Sequence, residues 1–209
     1  MSELYDAILN GNAKAAVAAT RAALDGGAAA LDIVNGEMVP AMDEVGRLYE
    51  CEEYFVPELL LAARAMKGSL ELLRPLLTAT GARPAGRVAI GTVKGDLHDI
   101  GKNIVAAMLE GAGFEVTDLG ADVPAEIFVD AVRSRGVNLV CLSALLTVTM
   151  PSMKTTIEAL QTAGVRDRVK VMVGGAPVTQ RFAEQIGADG YSENAAGAVA
   201  LARRLVAAA

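Results

Sequence analysis

The chain of 209 residues has no tryptophan, one histidine and two cysteines, and aromatic residues make up only 4% of it. Two isolated cysteines, Cys51 and Cys141, provide no disulfide framework and fit a reducing cytoplasm. One histidine and two separated cysteines also fall short of a protein-built zinc site, so any zinc the chemistry needs is expected from another protein. An excess of positive charge is missing as well. A net charge of −6 argues against a nucleic-acid surface, which needs a basic patch, but not against a small polar ligand. No apolar run reaches the roughly 18–20 residues needed to span a bilayer. Ser2-Glu-Leu-Tyr-Asp6 has neither the basic nor the apolar region of a signal peptide. A cytoplasmic protein without membrane contact is expected. With so few aromatics the cores must be built from Ala, Val, Leu and Met, for which a hydrophobic content of 53% is ample.

What is present divides into two halves. Residues 1–79 carry helical signals throughout. Ser2 can cap a short first helix ending near Asn10-Gly11, and Asn12 a second running to Asp25. A third is expected over Ala28–Val34, stopping at Asn35-Gly36, and a fourth from Glu37 to Tyr49 with Pro40 in its first turn. The fifth, Val56–Leu77, has a stripe of apolar positions at Leu59, Ala63, Met66, Leu70, Leu73 and Leu77. Short loops between such helices favour an antiparallel bundle. Residues 80–86, rich in Gly and Pro, read as a linker.

From residue 87 to 209 strands and helices alternate. Strands are expected at Arg87–Val93, Phe114–Leu119, Asn138–Leu145, Val169–Val173 and Gly190–Ser192. Helices are expected at Gly101–Gly111, Ala125–Arg135, Pro151–Ala163, Gln180–Ile186 and Ala195–Ala207. This pattern predicts a flavodoxin-like (Rossmann-like) α/β fold, a five-stranded parallel sheet of order 2-1-3-4-5. Such sheets take ligands at the carboxyl ends of their strands.

The first of those ends is Gly91-Thr-Val-Lys-Gly-Asp-Leu-His-Asp-Ile-Gly-Lys-Asn103, which holds the only histidine. Asp96 can accept the outer N–H of His98 and so fix its tautomer. Gly101 lets a bulky group approach the backbone where a helix begins. On Asp-x-His-x-x-Gly alone, a surface loop with a capping aspartate and an incidental histidine is an equal reading. Similarly, Gly174-Gly175 is by itself a turn, and Ser143 by itself satisfies a nearby backbone group.

Taken whole, the run resembles the cobalamin-binding loop of methionine synthase and of the small corrinoid proteins of methyltransferase systems. The resemblance extends over residues 28–200. It implies that His98 replaces the cofactor's own base as lower cobalt ligand, with Asp96 behind it and Thr149 completing a relay where methionine synthase has a serine. Asp99, Ile100 and Gly101 would flank the corrinoid. Ser143, Leu145, Thr147, Gly174, Gly175, Tyr191 and Ala195 would line the slot for the nucleotide tail. Val45-Gly-Arg-Leu-Tyr49 and Tyr54-Phe-Val-Pro57 resemble the helical cap that covers the upper face. The matching positions are Tyr49, Val56 and Leu59, with Tyr49 a departure from phenylalanine.

The implied function is that of a methyl carrier. Cobalt as Co(I) takes a methyl group activated on a partner, and methyl-Co(III) passes it to an acceptor such as tetrahydrofolate or a thiol. The implied partners are a donor-specific methyltransferase, an acceptor methyltransferase and a reductive activator protein. The chain is expected to be a subunit and not a complete catalyst. A radical mutase's cobalamin subunit shares Asp-x-His-x-x-Gly but lacks this helical cap. A cobalamin-dependent sensor would need a DNA-binding domain, for which residues 1–27 are too few. A flavodoxin-like interaction module without cofactor leaves the small residues at the strand ends unexplained.

Overall fold

The structure, a computed structural model, describes residues 2–80 and 84–208. The middle of the expected linker, residues 81–83, lies outside them. The chain divides into two compact units, Met1–Pro84 with Ala107–Gly113, and Ala85–Ala106 with Phe114–Ala209.

The first unit is helical. Ser2 caps α1 (Glu3–Leu9) by accepting the Tyr5 N–H at 3.1 Å, and Asn12 caps α2 (Ala13–Asp25) by accepting that of Ala15 at 3.1 Å. Both caps satisfy amides that the first helical turn leaves unpaired. The expected break at Asn35-Gly36 does not occur. Helix α3 (Ala30–Ile33) passes through a π-helical turn, Val34–Met38, directly into α4 (Val39–Glu50). Pro40 explains the form of this joint. It has no N–H to give, and its ring excludes the carbonyl four residues back. A widened turn, in which Val39 donates to Val34, carries the helix past it. Ile33, Val34, Met38, Ala41, Met42 and Val45 are all buried along this run, and their burial outweighs the poor helix propensity of Asn35 and Gly36. After a turn at 51–55, α5 runs Val56–Ala79 with Pro75 inside it, two residues longer than its apolar stripe suggested.

The second unit is the expected parallel sheet, in the order β2-β1-β3-β4-β5. Its strands are β1 (Arg87–Thr92), β2 (Glu115–Asp118), β3 (Leu139–Ser143), β4 (Lys170–Gly174) and β5 (Gly190–Tyr191). Each is shorter than or shifted by one residue from its expected span, because the terminal apolar residues serve loops. Val93, for example, makes only an isolated bridge to Val123. The connecting helices are α6 (Ile100–Gly111), α7 (Ala125–Arg135), α8 (Pro151–Thr162) and α9 (Gln180–Ile186), with α10 (Ala195–Ala207) last. Side chains alternate across the sheet. Ala89, Val140, Leu142, Val171 and Val173 form one face of a core with Phe128 and Val132 of α7, Met153 and Ile157 of α8, and Ala183 of α9. Helix α10 packs on β3, β4 and β5. Among the described residues no helix is long and apolar enough to cross a membrane.

The register places Thr92, Ser143 and Gly174 side by side at the carboxyl edge of β1, β3 and β4. Beneath them Phe128 lies so close to β1 that a Cβ at Gly91 would sit 2.8 Å from its ring. Phe128 is fully buried, so Phe128→Ala leaves a cavity under the site-bearing end of β1. We expect a loss of about 3–5 kcal/mol in unfolding free energy, read from the midpoint of chemical denaturation.

Candidate functional site

Strand β1 ends at Thr92, and a tight turn follows. The Asp96 N–H donates to the Val93 carbonyl at 3.1 Å across Gly95, whose φ of +88° suits glycine. The turn points Asp96 inward, where its side chain has no exposed surface. Its carboxylate then meets donors from two loops. Oδ1 accepts the His98 backbone N–H at 3.1 Å and the imidazole Nδ1 at 2.7 Å. Oδ2 accepts the N–H groups of Leu145 at 2.8 Å and Leu146 at 3.2 Å, and the Thr149 hydroxyl at 2.7 Å. Burial alone would push the carboxyl pKa up. The hydrogen bonds from Thr149, Leu145 and His98 outweigh it and hold Asp96 well below the usual carboxylate range.

An ionised Asp96 fixes the tautomer of His98. Nδ1–H donates to the carboxylate, which leaves the Nε2 lone pair uncommitted on a side chain that is half exposed. The peptide of His98 is fixed as well, its carbonyl accepting the hydroxyl of the buried Thr92 at 2.9 Å. Thr149 is almost fully buried, and its single hydroxyl proton faces two acceptors, Asp96 Oδ2 and the Leu146 carbonyl at 2.8 Å. It can serve one of them fully at a time.

The sequence-predicted residues fall into three groups. Asp96, His98, Leu145 and Thr149 are joined by hydrogen bonds. Asp99, Ile100 and Gly101 form the exposed start of α6, where a Cβ at Gly101 would meet no atom within 4 Å. Leu97 and Ile100 are 76% and 75% exposed, and Leu145, Leu146, Thr147 and Val148 are exposed on the facing loop. The second group is the strand-end row. Ser143 pairs with Gly174, and Tyr191 with Val173. The two glycines here have a packing reason of their own. A Cβ at Gly175 would lie 1.9 Å from the Ala144 carbonyl, and one at Gly174 would lie 3.0 Å from that of Ser192. Ala195, buried, opens α10 behind the Asn194 cap. The third group, Tyr49, Val56 and Leu59, belongs to the helical unit. There Tyr49 and Val56 are half-buried, while Leu59 is fully buried and presents no surface. Phe55 between them is 63% exposed.

Three participants escaped the sequence reading. Thr92 could have been suspected, as a hydroxyl inside an apolar strand. Leu146 acts through its backbone N–H, which no side-chain pattern reveals. Lys102 is 2% exposed, yet its Nζ lies 2.6 Å from both Asp118 oxygens and 2.6 Å from Asn103 Oδ1. This pair ties the first turn of α6 to the end of β2.

Asp96→Asn keeps the shape but turns an NH2 toward amide donors. We expect a loss of about 2–3 kcal/mol at neutral pH, measured by urea unfolding. Because the native carboxyl is depressed, its contribution is complete above the unfolded value of about 3.9 and fades as pH falls through the native one. The gap between the two proteins should therefore stay constant at neutral pH and narrow only below about pH 4.

Comparison with known proteins identifies the family. Residues 86–200 match a family model described as a B12 binding domain, and residues 2–74 match a second of the same description. The chain is 42% identical to dimethylamine corrinoid protein 2 of Methanosarcina acetivorans, over 99% of this chain and 95% of that protein. It is 39% identical to a corrinoid protein of Desulfitobacterium hafniense, over 99% and 97%. Among solved structures, a cobalamin-binding protein from Desulfitobacterium hafniense is similar with a TM-score of 0.80 and 34% identity, covering 97% of this chain and 96% of that one. The methanol:cobalamin methyltransferase complex MtaBC of Methanosarcina barkeri gives a TM-score of 0.87 and 33% identity, over 99% of this chain and 79% of that one. With both halves matched and the relatives aligned nearly end to end, the chain belongs to the B12-binding corrinoid proteins.

Proposed function

We propose that this protein is the methyl-carrying subunit of a methyltransferase system, with a corrinoid whose own lower base is displaced and His98 as lower ligand. The observation that carries the reading is the 2.7 Å bond from His98 Nδ1 to a buried carboxylate, which leaves Nε2 as the free donor. The corrinoid supplies a cobalt centre that, when reduced, accepts a methyl group from an activated donor and later yields it to an acceptor.

The chain's own residues do the rest. Asp96 orients the imidazole through Nδ1 and would offset any positive charge on it when Nε2 is not held by the metal. Thr149 can turn its hydroxyl between Asp96 Oδ2 and the Leu146 carbonyl, the freedom that a relay of His98, Asp96 and Thr149 would use. Gly101 leaves the head of α6 open, since a Cβ there would meet no atom within 4 Å, and Asp99, Ile100 and Leu145 are the further residues assigned to the corrinoid. Ser143 and Thr147 supply hydroxyls to the nucleotide tail, which Gly174, Gly175, Tyr191 and Ala195 border. In this reading residues 1–79 supply the cap, and the resemblance assigns Tyr49, Val56 and Leu59 to it, although Leu59 is fully buried within the helical unit. Residues 87–209 form the corrinoid-binding domain, joined to the cap through 80–86.

The partners in this reading are a donor-specific methyltransferase, an acceptor methyltransferase serving tetrahydrofolate or a thiol, and a reductive activator. The dimethylamine corrinoid proteins among the relatives make methylamines the first donors to test. The division of labour follows from chemistry. A methyl group on nitrogen or oxygen is a poor electrophile until charge is withdrawn from its leaving atom.

Two outcomes are expected. His98→Ala should retain the corrinoid but lose the nitrogen splitting in the electron paramagnetic resonance spectrum of its Co(II) form; persistence of the splitting excludes His98. The isolated, reduced holoprotein should consume methyl iodide, followed by absorbance, yet show no turnover of methanol, methylamines or aryl methyl ethers until a methyltransferase is added. Rapid turnover of any of these by the chain alone contradicts the carrier role.

A further inference from the structure

We infer that Asp122 is a positioning residue, which holds the turn carrying Asp96 and thereby keeps the His98 imidazole in its Nδ1–H tautomer. The inference deepens the assignment of His98 as lower ligand and rests on it for its functional meaning. Past the end of β2 the chain continues alongside β1. Leu119 N–H donates to Ile90 at 2.8 Å, Thr92 N–H to Gly120 at 3.0 Å, and Val123 N–H to Thr92 at 3.0 Å. Where this segment reaches the turn, Asp122 adopts φ +54°, a left-handed conformation that L side chains rarely take. From there it grips the turn in both directions. Its N–H donates to the Asp96 carbonyl at 2.9 Å, and its Oδ1 accepts the Gly95 N–H at 2.7 Å.

With the Asp96 N–H already given to Val93, both peptide groups flanking Asp96 are fixed, and so is the direction of its carboxylate. The Gly95 N–H, with Lys94 at 3.3 Å, also holds the Asp122 carboxyl below its ordinary range. The Lys94 contact is exposed and contributes little. Backbone conformation alone would favour glycine at this position. What aspartate adds is the acceptor for Gly95.

Asp122→Asn keeps that acceptor and tolerates the left-handed conformation, whereas Asp122→Gly relieves the backbone but removes the acceptor. The chain's single histidine makes the readout unambiguous. Nitrogen-15 NMR of the cofactor-free protein, at a pH where the imidazole is neutral, reports its tautomer. The unsubstituted protein and Asp122→Asn should show Nδ1–H. Asp122→Gly, still folded by circular dichroism, should shift toward the Nε2–H form that an unrestrained histidine prefers. In the loaded protein the same variant should lower the ratio of His98-ligated to unligated cobalt roughly tenfold.

Retention of the Nδ1–H tautomer in Asp122→Gly overturns the inference, as does its loss in Asp122→Asn. A third measurement needs no variant: the Gly95 amide of the unsubstituted protein should resist hydrogen exchange, and exchange as fast as an open loop contradicts the inference. Failure of the ligand assignment would show separately, in the Co(II) spectrum of the unsubstituted holoprotein.

Discussion

A carboxylate with no access to water is tolerable only when its charge is met on every side, and Asp96 is arranged in that way. Its two oxygens accept from the His98 amide and ring, the Leu145 and Leu146 amides and the Thr149 hydroxyl. Each donor lies on a loop that the sheet must deliver to the same place. The loops after β1 and β3 are therefore joined through one side chain. A change in sheet order would separate them. The neighbouring positions of β1 and β3, with Thr92 opposite Ser143, make the contact possible.

That arrangement separates rigidity from reactivity. The buried side of the histidine is bound at its amide, its carbonyl and Nδ1, while Nε2 stays available on the exposed side. A ligand nitrogen of the kind proposed for His98 would benefit from this. The imidazole would need no reorientation on binding or leaving a metal, because the groups that aim it are not the one that would react. The exposed apolar side chains on both loops, with Leu97, Ile100 and Val148 foremost, are costly to leave in water and favour a large, partly apolar ligand there. This fits the corrinoid proteins to which the chain belongs.

Much of this was readable from the residues because the signals were local. Ser2 and Asn12 cap the helices expected of them, and α7, α9 and α10 have the expected limits. The apolar strands and their punctuation were enough for the sheet order, through the regularity of parallel crossover units. Asn35-Gly36 misled because propensity is a weak force beside burial, and because a proline ahead of it made a π turn a better solution than a break. At the site, the pairing of Asp96 with His98 was legible as side-chain chemistry, whereas Thr149 was reached only through the resemblance to methionine synthase. The amides of Leu145 and Leu146, the bond from Thr92 to His98 and the pair of Lys102 with Asp118 depend on contacts between distant segments. Gly174 and Gly175 were legible as small residues, but their tight approach to Ser192 and Ala144 emerges only in three dimensions.

The central claim is that the free nitrogen of this one histidine reaches the cobalt. Labelling tests it without altering the protein. The holoprotein is prepared with nitrogen-15 histidine and unlabelled corrinoid, and the Co(II) electron paramagnetic resonance spectrum is recorded. Coordination by His98 predicts that the axial nitrogen splitting changes from a triplet to a doublet. A triplet that survives labelling would show that the corrinoid's own base still holds the lower position, and would contradict the role assigned to His98.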